Sequence, residues 1–330
     1  MKLIITIDTE EDTWRSYNHN SYTLHNVKQL PRLQELFNKF SVKPTYLINY
    51  PVATDSAAKS ILKEIAQTGL CEIGTHCHPW NTPPFSEQRN IRNTMLCNLP
   101  PELQYQKLSS LHNTIKNNFQ LEPKSFRAGR FGYNSTVAGS LNELAYTVDT
   151  SVTPYINWRN HFGPDFSNSP ATPTIIRSSN PTAISSNNIL LEVPVSTGFL
   201  HNNLALANKI FKILNTRIMT VSRLKAILNI AGLFKQVWLS PETNTAKEMI
   251  QLTKILLKNG ISYLNMIFHS SSLIPGNSPY VKTKQDLDIF YRKIEQYLSF
   301  VADYQMLSLT LTETYNIFLQ EQSDPNLHLK

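Results

Sequence analysis

Leu3-Ile4-Ile5-Thr6-Ile7-Asp8-Thr9-Glu10-Glu11-Asp12 reads as a mostly apolar strand that runs directly into a cluster of carboxylates. A run of this length without polar alternation suits a strand covered on both faces, as in a parallel sheet. A second stretch, Cys71-Glu72-Ile73-Gly74-Thr75-His76-Cys77-His78, ends in the same way, with histidines in place of acids. Because α/β enzymes keep their chemistry where strands hand over to loops, the two stretches together predict a hydrolase centre.

Working outward, strand-like and helix-like segments alternate along the whole chain. Val27, Leu30, Leu33, Leu36, Phe37 and Phe40 recur at helical spacing before a strand over 45–48. Ile61, Leu62 and Ile65 mark a helix before the strand at 71–75. Helices near 101–119 and 136–144 precede strands at 125–126 and 146–148, and 190–195 and 237–239 read as later strands. A helix near 246–257 feeds a strand at 263–268, and a last helix near 285–300 precedes 306–309. Strands separated by helices pair in parallel through right-handed crossovers, so the expected architecture is a closed or nearly closed (β/α) barrel. No boundary divides it, and a single domain over 1–330 is expected. The Ser-, Asn- and Pro-rich segment 151–188 is too long for an ordinary connection and is expected to cover part of the barrel mouth.

Composition narrows the class. At 330 residues and 41% apolar, the chain can bury a full core, which excludes disorder as a whole. Cys71, Cys77 and Cys97 form neither a disulfide framework nor a CxxC zinc ribbon, which fits a reducing compartment. Acids interrupt the first apolar run at Asp8, unlike a signal peptide, and no window reaches membrane-span length, so a cytoplasmic location is expected. The net charge of +7 comes from scattered Lys and Arg without a nucleic-acid signature. One stretch differs: 193–241 holds no acid, while Lys209, Lys212, Arg217, Arg223, Lys225 and Lys235 punctuate a helical pattern. It reads as a solvated helical face or as peripheral contact with an anionic membrane or phosphate-bearing substrate. Neither a Gly-x-Ser-x-Gly elbow nor a P-loop is present.

The strand assignments put Asp8, His76, Arg127, Asp149, Glu242 and His269 at strand ends, which converge on one mouth in a barrel. Asp8 and Glu10 alternate to the same side, so one can bind a metal while the other takes a proton. His76 and His78 likewise share a side at a separation suited to one divalent ion, with Cys77 pointing away. Pro79-Trp80-Asn81-Thr82-Pro83-Pro84 is either the floor of a sugar site or a packed turn. His269 either donates a proton to a leaving group or caps its strand. Arg127 can hold a carboxylate ionised through a bidentate contact, and Arg130 suits a structural salt bridge equally well.

These residues resemble the polysaccharide deacetylase superfamily (NodB homology, carbohydrate esterase family 4), with the WalW-like branch the nearest likeness. The carriers are Thr6 to Asp12, Glu72 to Pro84, Phe126-Arg127-Ala128-Gly129-Arg130-Phe131-Gly132, 149–154, Phe268-His269-Ser270-Ser271 and 275–280, in family order. The resemblance implies a distorted (β/α)7 barrel of the glycoside hydrolase/deacetylase type and metal-assisted removal of an N- or O-acetyl group. Asp8 aligns with the family's base, Arg127 with the arginine that tethers it, and His269 with its acid. Metal ligands are implied at His76, Glu10 and His78, because the usual second aspartate is Thr9 and the usual second histidine is Trp80. The ion implied is divalent, with zinc expected. Trp80, Arg130 and Asp149 are the expected substrate contacts. The implied partner is an acetylated sugar, a nucleotide sugar or a lipid-linked glycan. Two alternatives stay open: a metal-independent C–N hydrolase like the PuuE-type allantoinase, and a non-catalytic sugar-binding protein.

Overall fold

The computed structural model describes residues 1–12, 17, 21–176, 189–214 and 235–323. Strand β1 (Lys2–Thr9) organises it. One edge pairs along nearly its whole length with β10 (Tyr263–His269), from Lys2↔Tyr263 to Asp8↔His269. The other edge is divided: β11 (Leu307–Leu309) covers Lys2 to Ile4, and β2 (Pro44–Ile48) covers Ile5 to Thr9. The final strand therefore flanks only the first half of β1 instead of forming a separate stave. From β2 the parallel order continues through β3 (Glu72–Cys77), β4 (Ser125–Ala128), β5 (Val148–Asp149) and β7 (Leu190–Glu192). An antiparallel edge, β6 (Thr174–Ile176), follows.

Closure is irregular. The segment around 237–239, read from sequence as a barrel strand, forms a short hairpin, β9 (Gln236–Trp238) against β8 (Thr197–Phe199). Single hydrogen bonds join this hairpin to β10: Ser196 N–H to Asn265 O at 3.1 Å and Ile267 N–H to Leu239 O at 3.0 Å. Isolated bonds in place of a ladder are the distortion in the barrel.

Alternation along β1 separates two cores. Leu3, Ile5 and Ile7 point outward under helices that include α1 (Leu30–Lys39), whose Leu30, Leu33 and Phe37 form one buried stripe. Ile4 points inward, where it meets Leu47, Val148, Leu191 and Leu311. Leu311 opens α9 (Leu311–Ser323), so this helix closes the lower end of the barrel. Two further helices carry reciprocal capping boxes: α7 (Ala246–Lys258), with Thr245 and Glu248, and α8 (Lys284–Asp303), with Thr283 and Asp286. The remaining helices are α2 (Tyr50–Thr54), α3 (Ser56–Gln67), α4 (Pro101–Phe119), α5 (Ser135–Glu143) and α6 (Leu204–Leu214). Among the described residues no helix is long and apolar enough to cross a membrane. Of the basic stretch, Arg217, Arg223 and Lys225 lie outside the described residues. Lys212 donates to Asn168 Oδ1 at 2.5 Å, and Lys209 is exposed.

Candidate active site

Above the apolar plug, the barrel interior turns polar. Arg127 lies on β4, fully buried, and donates Nε to Thr150 O at 3.0 Å and Nη2 to Thr6 Oγ1 at 2.7 Å. Its Nη1 meets Asp8 Oδ1 at 2.7 Å. Thr6 donates to Asn265 Oδ1 at 3.0 Å, and Asn265 Nδ2 donates to Thr150 Oγ1 at 2.8 Å. A buried ion pair is costly unless its other donors are satisfied. Here that layer satisfies them, with Thr6 from within β1, Asn265 from within β10 and Thr150 just past β5.

Burial alone would push the Asp8 carboxyl upward. Arg127, His76 and His269 outweigh it and hold the group below the ordinary carboxylate range. Its Oδ2 is left facing two imidazoles, with His269 Nε2 at 3.7 Å and His76 Nε2 at 4.0 Å. Glu10 lies one strand alternation further on, and its Oε2 is 3.1 Å from His78 Nε2 and 3.6 Å from His76 Nε2. Burial again opposes its charge, and the two histidine contacts reverse the balance to keep Glu10 ionised well below its usual range.

The Glu10, His76 and His78 ligand atoms lie within 4.8 Å of one another, all on buried residues. His76 Nδ1 sits 3.2 Å from Arg127 O, and donation to that carbonyl leaves Nε2 as the lone-pair nitrogen. The two Nε2 atoms approach each other to 2.6 Å. One carboxylate oxygen and two imidazole nitrogens fit a divalent ion such as zinc, in a set that leaves a position open. His78 is held differently: its buried Nδ1 has no hydrogen-bond partner among the described residues. Packing orients it, with the Trp80 ring 4.0 Å away on one side and Gly129 on the other. A Cβ at Gly129 would stand 2.5 Å from His78 Cδ2, so only glycine fits there. Cys77 points away as a buried thiol, pushed up to about 12 by burial.

The loop after His78 is anchored from beneath. Lys107 of α4 is fully buried, and its ammonium donates to Pro79 O at 2.9 Å, Thr82 O at 2.8 Å and Pro84 O at 2.7 Å, with Glu87 at 3.0 Å. From above, Glu11 accepts hydrogen bonds from Asn49, from Asn81 at 3.0 Å and from Trp80 Nε1 at 3.3 Å. Sequence reasoning assigned neither Lys107 nor Glu11 a role. A lysine within an apolar helical stripe was the available signal for the first.

His269 ends β10. Glu242, in the turn after β9, accepts from His269 N at 3.1 Å and lies 3.0 Å from His269 Nδ1. Burial disfavours the imidazolium, but the charge and hydrogen bond of Glu242, then Glu10 and Asp8, push the group up to about 10. The carboxylate partner of His269 is therefore Glu242, distant in sequence, while the adjacent Ser270 hydroxyl accepts from Glu10 N–H at 3.1 Å.

These groups open into a cavity of about 750 Å³ whose lining includes Asp8, Glu10, His76, His78, Trp80, Arg130 and His269. Asp149, expected as a substrate contact, does not reach it. Its carboxylate is fully buried and accepts from Ser151 Oγ at 2.6 Å, beside its strand partner Glu192. Burial raises both acids, Glu192 the more because Asp149 lies against it. Arg130 donates to Ile91 O at 3.2 Å and to Thr94 Oγ1, with its guanidinium over the Tyr17 ring.

With this geometry in hand, solved structures give a consistent likeness. A candidate polysaccharide deacetylase from Mycobacterium smegmatis is 13% identical with a TM-score of 0.55, over 98% of this chain and 91% of that one. A candidate glycoside hydrolase/deacetylase from Parabacteroides distasonis is 11% identical with a TM-score of 0.56, over 97% of this chain and 70% of that one. The fold is that of the glycoside hydrolase/deacetylase barrels. PuuE allantoinase is also similar to this barrel, at 8% identity and a TM-score of 0.53, over 96% of this chain and 89% of that one. No protein-family model and no curated protein matches the sequence.

Proposed function

We propose that this chain is a hydrolase that removes an acetyl group from the nitrogen or oxygen of a sugar or glycan, with Asp8 as base and His269 as acid. The observation that carries this reading is the convergence of a Glu10–His76–His78 donor set with Asp8 Oδ2 and His269 Nε2, themselves 3.7 Å apart, in one cavity. Those three residues would hold a divalent ion, and the chemistry it would supply there is Lewis-acid polarisation of the acyl carbonyl and acidification of water. Asp8 Oδ2 accepts the proton of the attacking water, while Arg127 on Oδ1 keeps the carboxylate ionised and fixed. As the bond from carbonyl carbon to the amine or alcohol breaks, His269 Nε2 gives its proton to the leaving atom. Glu242 on Nδ1 holds that tautomer and stabilises the charged ring.

Charge in the cavity bears on the substrate. Of the described lysines and arginines only Arg130 lines it, alongside Asp8, Glu10, Glu11 and Glu242, and Arg130 is already engaged by Ile91 and Thr94. A pyrophosphate would meet little counter-charge there, which favours a neutral acetylated glycan over a nucleotide sugar. Likeness to PuuE allantoinase, together with Trp80 at the usual second-histidine position, favours one second reading: metal-independent opening of a cyclic ureide.

Acetate release from N-acetylated mono- and oligosaccharides, with Asp8→Asn as control, tests the reading. Release that disappears in the variant supports it. Hydrolysis of allantoin without acetate release from any sugar overturns it.

A further inference from the structure

The catalytic groups occupy one side of the cavity. The other side is a wall of packed aromatic rings that the proposed chemistry does not use. Phe131 stacks on Trp158 with centroids 5.5 Å apart and planes 19° apart, and Trp238 closes the group at 5.7 Å from Phe131 and 6.3 Å from Trp158. Phe162 and Ile91 extend this surface to the cavity rim, where they are 50% and 45% exposed. Phe162 holds a left-handed backbone with φ of 63°, an uncommon conformation for a bulky side chain, and it does so at an outward-facing position.

Several polar groups beside the stacked rings are already engaged, while Asn160 and His161 line the exposed edge. Trp158 Nε1 donates to Thr153 Oγ1 at 2.9 Å, Thr94 is bound to Arg130, and Arg130 to the Ile91 carbonyl. A sugar ring is held by hydrogen bonds to its hydroxyls as well as by stacking, whereas a flat apolar group needs only area. Resting on the deacetylase reading, we propose that this wall is a second subsite and that it takes an apolar aglycone, of at least one aromatic ring, on the acetylated sugar. The substrate is then amphipathic: an acetylated sugar at Asp8 and His269, with an uncharged apolar substituent against Phe131, Trp158 and Phe162.

The test compares kcat/KM for acetate release from methyl and phenyl N-acetyl-β-glucosaminide and from N,N′-diacetylchitobiose. The phenyl glycoside is expected to exceed the methyl glycoside by about tenfold or more, as burial of one ring implies. It is also expected to exceed the disaccharide. Trp158→Ala should bring the phenyl-to-methyl ratio towards one. Phe162→Asn, at an exposed position where asparagine tolerates the backbone, should lower the same ratio if Trp158→Ala fails to fold. A ratio near one in the wild type, or a disaccharide preferred over the phenyl glycoside, overturns the proposal. If no sugar releases acetate, the hydrolase reading fails separately. Tryptophan fluorescence titration of the wild type then decides the subsite: phenyl glycoside binding tighter than methyl by about tenfold upholds it, and equal binding rejects it.

Discussion

The two sides of the cavity are built by different means. On the side of β1, β3 and β4, each chemical group sits on or next to a parallel strand. Asp8 is fixed by Arg127, which is fixed in turn by Thr6 and Thr150. On the other side, Trp158 and Phe162 project from the irregular segment after β5, and Trp238 ends a two-stranded hairpin. The ladder gives the first side the precision that proton transfer needs. Loop-borne rings give the second side area without directional demands, which suits recognition. The proposed reaction and its selectivity should therefore respond to separate substitutions.

The largest expected effect lies on the strand-held side. Asp8→Asn keeps the shape and removes the proton acceptor, so kcat should fall by at least about a hundredfold with KM little changed and the fold intact by circular dichroism. A variant with near-normal kcat would remove Asp8 from the chemistry.

The two histidines sharpen the contrast within that side. His76→Ala and His78→Ala should each empty the Glu10–His76–His78 set, read as metal content after dialysis. Gly129→Ala crowds the His78 ring without touching any ligand atom, and should weaken metal affinity by about 10–100-fold, as loss of ligand orientation does elsewhere. Unchanged affinity would mean that packing does not set the His78 ring.

Lys107→Met tests whether the loop between the two sides depends on its buried ammonium. The change strands three carbonyls and the Glu87 carboxylate, and should cost on the order of 3 kcal/mol in a denaturant titration. A cost below 1 kcal/mol would show that the loop holds itself.

A pH profile gives the smallest and most specific effect. His269 is raised from its ordinary value of 6.5 to about 10, so its imidazolium form persists through neutral pH and activity should decline only as pH rises through that upper value. The stability contributed by its ion pairs follows the same sign: fully present below 6.5, lost on the way to about 10. Glu242→Gln should move the basic limb of kcat down by about 1–3 units. A basic limb that does not move would separate Glu242 from His269.

Much of the first side was legible in the sequence because strand alternation is a rigid code. The spacing of Asp8 and Glu10, and of His76 and His78, fixed their shared direction, and the apolar runs placed the β1 and β3 ends. Legibility failed where the chain leaves the ladder. Glu242 reaches His269 from a turn 27 residues away, a contact that no local pattern encodes. Asp149 sits at a strand end as expected, but its neighbours Val148 and Thr150 face the barrel interior, so alternation turns the Asp149 side chain into the wall beside Glu192. The β8–β9 hairpin replaced an expected stave, since three-residue strands carry too little periodicity to show their pairing partner.

In the proposed reaction, Glu10, His76 and His78 hold a divalent ion on which acetyl hydrolysis depends. The most direct measurement of that dependence is acetate release from phenyl N-acetyl-β-glucosaminide by chelator-stripped protein, before and after addition of one equivalent of zinc. Stripping should abolish release, and one equivalent of zinc should restore it in the wild type but not in His78→Ala. Stripped protein that releases acetate at the full rate would contradict that dependence.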